Sequence, residues 1–175
     1  MQYLIDTDLA GERGAHLSDC GAYRYRLWRG WDRSLPTLAF LMLNPSTADH
    51  LTDDPTIMRC MSRAVAGKYG RLEVVNLFPL RATNPHELLT HADPLGPGRT
   101  ADGAVMAAIE RAHIVICAWG AHPAAAGRAA DLMRLFGSVG WRSRLFHIGL
   151  NKDGSPKHPL YIAANTQPRP FEFAA

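Results

Sequence analysis

Four apolar runs, each stopping abruptly in a polar turn, limit the folds open to this chain. Leu41-Met42-Leu43 leads into Asn44-Pro45-Ser46-Thr47-Ala48-Asp49, and Val74-Val75-Asn76-Leu77-Phe78 leads into Pro79-Leu80-Arg81. Ile114-Val115-Ile116-Cys117-Ala118 leads into Trp119-Gly120-Ala121-His122, and Arg144-Leu145-Phe146-His147-Ile148 leads into Gly149 and then Lys157-His158-Pro159. Such runs read as strands buried on both faces. Helical patterns separate them. Asp54 caps a helix with Pro55 in its first turn, and Ile57, Met61, Ala64 and Val65 recur at helical spacing up to Gly67. Asn84-Pro85-His86-Glu87 opens a short helix, Thr100–Ala112 forms another through Val105, Ala108 and Ile109, and Pro123–Phe136 forms an alanine-rich fourth. Alternating strands and helices predict a three-layer α/β/α domain around a central, mostly parallel four-stranded sheet, with an N-terminal antiparallel strand or hairpin added. Residues 22–29 alternate, with Tyr23, Tyr25 and Leu27 against Arg24, Arg26 and Arg29, which reads as a half-exposed strand.

At 175 residues and 47% hydrophobic, the chain suits one α/β domain over 1–175, with 1–20 as an N-terminal extension and 166–175 as an extended tail. A net charge of +3 tolerates a phosphate-bearing ligand but does not by itself argue for nucleic acid. Cys20, Cys60 and Cys117 are odd in number and widely spaced, which argues against a disulfide framework, a zinc site or an iron-sulfur cluster and favours the reducing cytoplasm. No segment approaches the roughly 18 apolar residues of a membrane span. No cofactor is expected. Gly67-Lys68 lacks the glycine loop of a Walker motif, and neither G-x-G-x-x-G nor G-x-S-x-G occurs. His86 and His91 are five residues apart, a turn of about 500° on a helix, so their imidazoles diverge by about 140° and do not share a metal.

If the strands run parallel, their polar tails meet at one sheet edge, where open α/β proteins bind ligands. Asn44 follows a buried strand directly, and its amide offers a donor and an acceptor in one plane; Ser46, Thr47 and Asp49 crowd the same turn. Asp54 reads as a helix cap. Asn76 sits inside an apolar strand, where an unpaired amide costs about 1 to 3 kcal/mol. Phe78, two residues on, faces the same side and can stack on a flat ring or fill the core. Arg81 suits a phosphate or carboxylate, or plain solvent. Trp119 and Gly120 bring an aromatic ring and an approachable backbone to the third strand end. Lys157 and His158 lie in a loop too polar for the core.

The strings LMLNPSTADHLTDDPTIMRC, VVNLFPLRATNP, ICAWG and KHPLY resemble a bacterial family known as domain of unknown function sixteen-forty-three, over roughly residues 20–165. More distantly, the layout resembles the uracil-DNA glycosylase superfamily, whose first motif in one branch is a strand followed by Asn-Pro. That resemblance implies a uracil-DNA-glycosylase-like fold and a role in DNA repair. It further implies that Asn44, with Asp49, orients a water, and that Asn76 and Phe78 read and stack a base. His158 would stabilise the departing base, and Arg81 and Lys157 would hold phosphates. Met42 and Ser46 stand where that motif has glycines, and Leu160 stands in place of a serine.

The resulting expectation is a nucleobase- or nucleotide-recognising protein, with a nucleobase, nucleotide or nucleic acid as its partner. Hydrolysis of a base–sugar bond is the implied activity. The alternative is a non-catalytic nucleotide or small-metabolite binding module. Catalytic candidates are Asn44, Asp49 and His158; ligand-binding candidates are Ser46, Thr47, Asn76, Phe78, Arg81, Trp119, Gly120 and Lys157, with no metal.

Overall fold

The computed structural model describes residues 1–98 and 100–173, so residues 174–175 of the expected tail lie outside it. The strands are β1 (Gln2–Asp8), β2 (Gly11–Leu17), β3 (Arg24–Gly30), β4 (Thr37–Met42), β5 (Arg71–Asn76), β6 (Ile114–Cys117), β7 (Leu145–His147) and β8 (Arg169–Pro170). The helices are α1 (Pro55–Ala66), α2 (Glu87–Thr90), α3 (Thr100–Arg111) and α4 (Ala125–Ser138). Asp54 caps α1 by accepting from the Ile57 N–H at 2.9 Å. Pro55, which has no N–H to offer, occupies the first turn at no loss.

All the described strands join one mixed sheet in the order β1-β2-β3-β5-β4-β6-β7-β8. β4 pairs in parallel with β5 and β6, and β6 with β7. The pairs β1–β2, β2–β3, β3–β5 and β7–β8 are antiparallel. This corrects the expectation of a four-stranded, mostly parallel sheet: the sheet has eight strands and is mostly antiparallel. The expected N-terminal antiparallel hairpin is present as β1–β2, and it extends the same sheet through β3. β8 is not legible in the sequence, because it is only two residues long and contains a proline.

Period-two alternation divides the core. Leu38, Phe40, Val74 and Ile116 pack with Ile57, Cys60 and Ala64 of α1 on one face. Leu41, Val75, Val115 and Cys117 pack with Val105 and Ile109 of α3 and Leu132 and Phe136 of α4 on the other. Helices thus cover both faces of the sheet.

β3 is not the half-exposed strand its alternation suggests. It lies between β2 and β5, and its arginines are enclosed. Arg29 is only 4% exposed; it ion-pairs with Asp53 at 2.7 Å and donates to the Asp49 carbonyl. Arg26 meets Glu73, a fully buried carboxylate on β5 that also accepts from Arg71. An alternating strand shows that its two faces differ, but not that a distant acid closes the charged one.

A β-bulge interrupts the pairing of β2 with β3. His16 pairs with Arg26 but Leu17 pairs with Arg24, so Tyr25 is the extra residue. Tyr25 turns into the α3/α4 core, and the Arg24 side chain turns towards α1 and the loop before it. Behind α1, Arg63 donates to the carbonyls of Ile162, Ala163, Ala164 and Thr166, fastening the chain's late segment to that helix.

Candidate functional site

Parallel pairing brings the C-terminal ends of β4, β5, β6 and β7 to one edge of the sheet. Beyond β5, the segment from Leu77 to Ala82 continues between two neighbours. Leu77, Phe78 and Ala82 N–H groups donate to the Met42, Leu43 and Pro45 carbonyls on one side. On the other, Arg24 N–H donates to Pro79 and Arg81 N–H to Ala22. Tyr23 and Leu80 bridge directly and both enter the α3/α4 core. Alternation therefore sends their neighbours Arg24 and Arg81 to the opposite face, diagonally across the ladder. Leu72 and Val74 face α1, so Asn76, the next in that period, does too.

Asn76 is 4% exposed, and both its Nδ2 and its Oδ1 are buried without a hydrogen-bond partner among the described residues. An amide in that state carries a desolvation penalty of about 1 to 3 kcal/mol. The Nε of Arg24 and of Arg81 and the Nδ1 of His50 are also buried and unpartnered. Among the described residues, Arg24 makes one side-chain bond, from Nη1 to the Ala48 carbonyl at 2.6 Å, and Arg81 makes one, from Nη1 to Gly21 at 3.3 Å. Burial lowers the Arg24 pKa to about 10, against the opposing pull of Asp54. Its guanidinium still stays charged.

The other residues singled out from sequence have plainer surroundings. Asn44 donates its Nδ2 hydrogens to the Pro45 and Ala82 carbonyls, at 3.0 and 2.8 Å, which ties the β4 turn to the segment after β5. Asp49 Oδ1 accepts from the Leu51 and Thr52 N–H groups, each at 2.8 Å. Burial alone would raise the Asp49 pKa, but those N–H groups and the charges of His50 and Arg81 bring it below the usual carboxylate value. Ser46 is half-buried and Thr47 exposed in the same turn.

His158 opens a short 3₁₀ turn, Pro159–Tyr161, packed against α1, and feels the charge of Asp54 at that helix's start. Its Nδ1 accepts from the Leu160 N–H at 3.4 Å, which leaves the proton on Nε2. Burial pushes its pKa below the usual 6.5, with Asp54 opposing only in part, so it is a neutral Nε2–H donor at pH 7. Lys157 beside it is exposed.

Phe78 and Trp119 do not join this group. Phe78 is buried in the α3/α4 core with Leu80 and Leu88, so it does not face the same side as Asn76: the strand ends at Asn76 and the alternation breaks there. Trp119 is buried in the same core, edge-on to Phe171. With Gly120, His122, Ser155 and Phe173 it borders a separate cavity of about 390 Å³. Gly120 has a φ of +74°, which glycine adopts without strain, and its N–H donates to Pro156. Met42 is buried in the α1-side core. Sequence reasoning alone misses Arg24. Its signal is present, because an arginine in a strand of apolar and aromatic residues must either be paired or seek an anion.

Four histidines, His16, His122, His147 and His158, have pKa values pushed down chiefly by burial. Between each lowered value and 6.5 the unfolded chain binds more protons than the native one, so stability is full above 6.5 and falls as pH drops through that window. Thermal melts are expected to show a lower Tm at pH 5.5 than at pH 7.5, with a smaller difference in His158→Gln. Equal Tm values at both pH values would mean that the imidazoles are as hydrated in the folded chain as in the unfolded one.

A family model described as "Protein of unknown function (DUF1643)" matches residues 24–160. No curated protein and no solved structure gives a significant match.

Proposed function

We propose a function for a chain that belongs to the DUF1643 family of proteins of unknown function: it recognises the base of a nucleotide at the α1 side of the sheet edge. The buried, unpartnered amide of Asn76 carries this reading. A nucleobase edge presents donors and acceptors side by side in one plane, which is what a carboxamide needs to satisfy both of its ends at once. Without a guest that amide is a net cost. Entry requires the 44–53 turn to lift. That turn is held by Arg24 at the Ala48 carbonyl and by Arg29 at the Asp49 carbonyl and Asp53 carboxylate, contacts that reform over a bound ligand.

A thermal-shift series with nucleosides and nucleotides on the full chain tests recognition. At a ligand concentration of 100 times Kd the native state gains about 2.7 kcal/mol, a shift of several degrees for a chain of this size. No shift with any nucleoside or nucleotide rules the reading out.

One observation favours chemistry as well as binding. His158 offers a neutral Nε2–H donor beside the same helix start, suited to an anionic leaving base. Asn44 keeps its Oδ1 for a water while its Nδ2 is committed, and Asp49 supplies an ionised carboxylate near a developing positive sugar. Uracil-DNA-glycosylase-like hydrolysis of a base–sugar bond would then release free base, detectable by chromatography, and Asn44→Ala and His158→Ala would abolish that release. Binding without release leaves a recognition module.

A further inference from the structure

We infer that Arg24 and Arg81 form an anion pocket beneath the base, and that the ligand is therefore a free nucleoside monophosphate rather than a nucleic-acid strand. This rests on the base lying against Asn76; the anion pocket has its own support.

Arg24 is 2% exposed and has no ion pair among the described residues. The two carboxylates whose charge reaches it are engaged elsewhere, Asp49 with the Leu51 and Thr52 N–H groups and Asp54 with Ile57. A guanidinium has five donors, and among the described residues only one of Arg24's finds a protein acceptor. A buried cation left in that condition is among the costliest arrangements a fold can hold. Arg81 faces the same side and repeats the pattern, with one backbone bond and a buried, unpartnered Nε. Two unpaired guanidinium groups on one face can together hold a dianion through charge-assisted, bidentate contacts.

The burial of Arg24 decides the form of the ligand. Arg24 on β3 lies opposite Pro79, three residues beyond Asn76 on the adjoining segment and so roughly 10 Å along it, a span that a nucleotide covers from its base edge to its 5′-phosphate. A base flipped out of a strand enters a pocket while its phosphate stays at the rim with the rest of the backbone. Here the Arg24 cation is itself enclosed, at 2% exposure, and not at a rim. Strand binding also needs exposed basic side chains, yet Arg26 and Arg29, which could have made such a stripe, are closed by Glu73 and Asp53.

Isothermal titration of the full chain with nucleosides, their 5′-monophosphates, inorganic phosphate and a single-stranded oligonucleotide tests this. Monophosphates are expected to bind about ten- to a hundredfold more tightly than nucleosides, and the oligonucleotide no better than a nucleoside. Arg24→Gln and, because a core variant can fail to fold, the half-buried Arg81→Gln should each bring monophosphate affinity down towards that of the nucleoside. Nucleosides that bind with no gain from the phosphate overturn the anion pocket and leave base recognition standing. Inorganic phosphate that binds and is lost in Arg81→Gln, with no gain from any base, supports the pocket and overturns base recognition. Tighter binding of the oligonucleotide than of the monophosphate overturns the free-nucleotide assignment. Binding of none of the four overturns both readings.

Discussion

Replacing Glu73 by glutamine lowers the melting temperature by about 6 to 20 °C, the equivalent of about 3 to 5 kcal/mol in a chain of this size. The carboxylate has no exposure, accepts from Arg26 at 2.7, 2.8 and 3.0 Å, and accepts from Arg71 Nε at 2.9 Å. An amide in its place turns N–H towards guanidinium N–H, so acceptors become donors and the charge is lost as well. Arg71 keeps Glu12 as a partner at 3.1 Å, whereas among the described residues Arg26 keeps only the face of Trp28, 5.0 Å from its ring centre. Most of the penalty therefore falls on Arg26. Removing both charges together, as Glu73→Leu with Arg26→Met, should recover a large part of the loss, because a buried ion pair is worth little against well-packed apolar groups of similar size. Chemical denaturation of the two single variants and the double variant measures this. A Glu73→Gln protein as stable as its parent would show that water reaches the site.

The same strands show what the sequence makes legible and why it stops. Apolar runs located β4 to β7 and helical spacing located α1, α3 and α4 to within a few residues, because these elements bury one defined face each. Asp54 could be read as a cap because an N-cap followed by proline is a local device. Partnership across the sheet is not local. Nothing near Glu73 says that Arg26 reaches it from the adjoining strand, two residues from Trp28, which lies opposite, and nothing near Tyr25 announces the bulge that turns Arg24 towards α1. Phe78 shows the opposite limit: alternation holds only while the strand lasts, and β5 ends two residues before it. Asn44 and Asn76 were both legible as amides that need partners. Only the fold separates them, since Asn44 has backbone carbonyls and Asn76 has no partner among the described residues.

That difference makes Asn76→Leu the most informative single change in the chain, since it should move stability and binding in opposite directions. Leucine has the same branched outline of heavy atoms and removes two orphaned polar groups from the α1-side core. The ligand-free protein should gain about 1 to 3 kcal/mol, or about 2 to 12 °C in Tm. Crowding by the extra hydrogens works against this, and Asn76→Val, which is smaller and suits a strand, separates the two effects. Nucleotide affinity should fall by orders of magnitude in both variants. A site built to hydrogen-bond its ligand rejects the mismatched pair by about 10⁴ or more, since polar atoms of the ligand are then buried unpaired. Residues that stabilise a fold seldom behave this way: their removal costs stability and spares function. Lower stability in both variants with unchanged binding would give Asn76 a structural partner and take the base away from it.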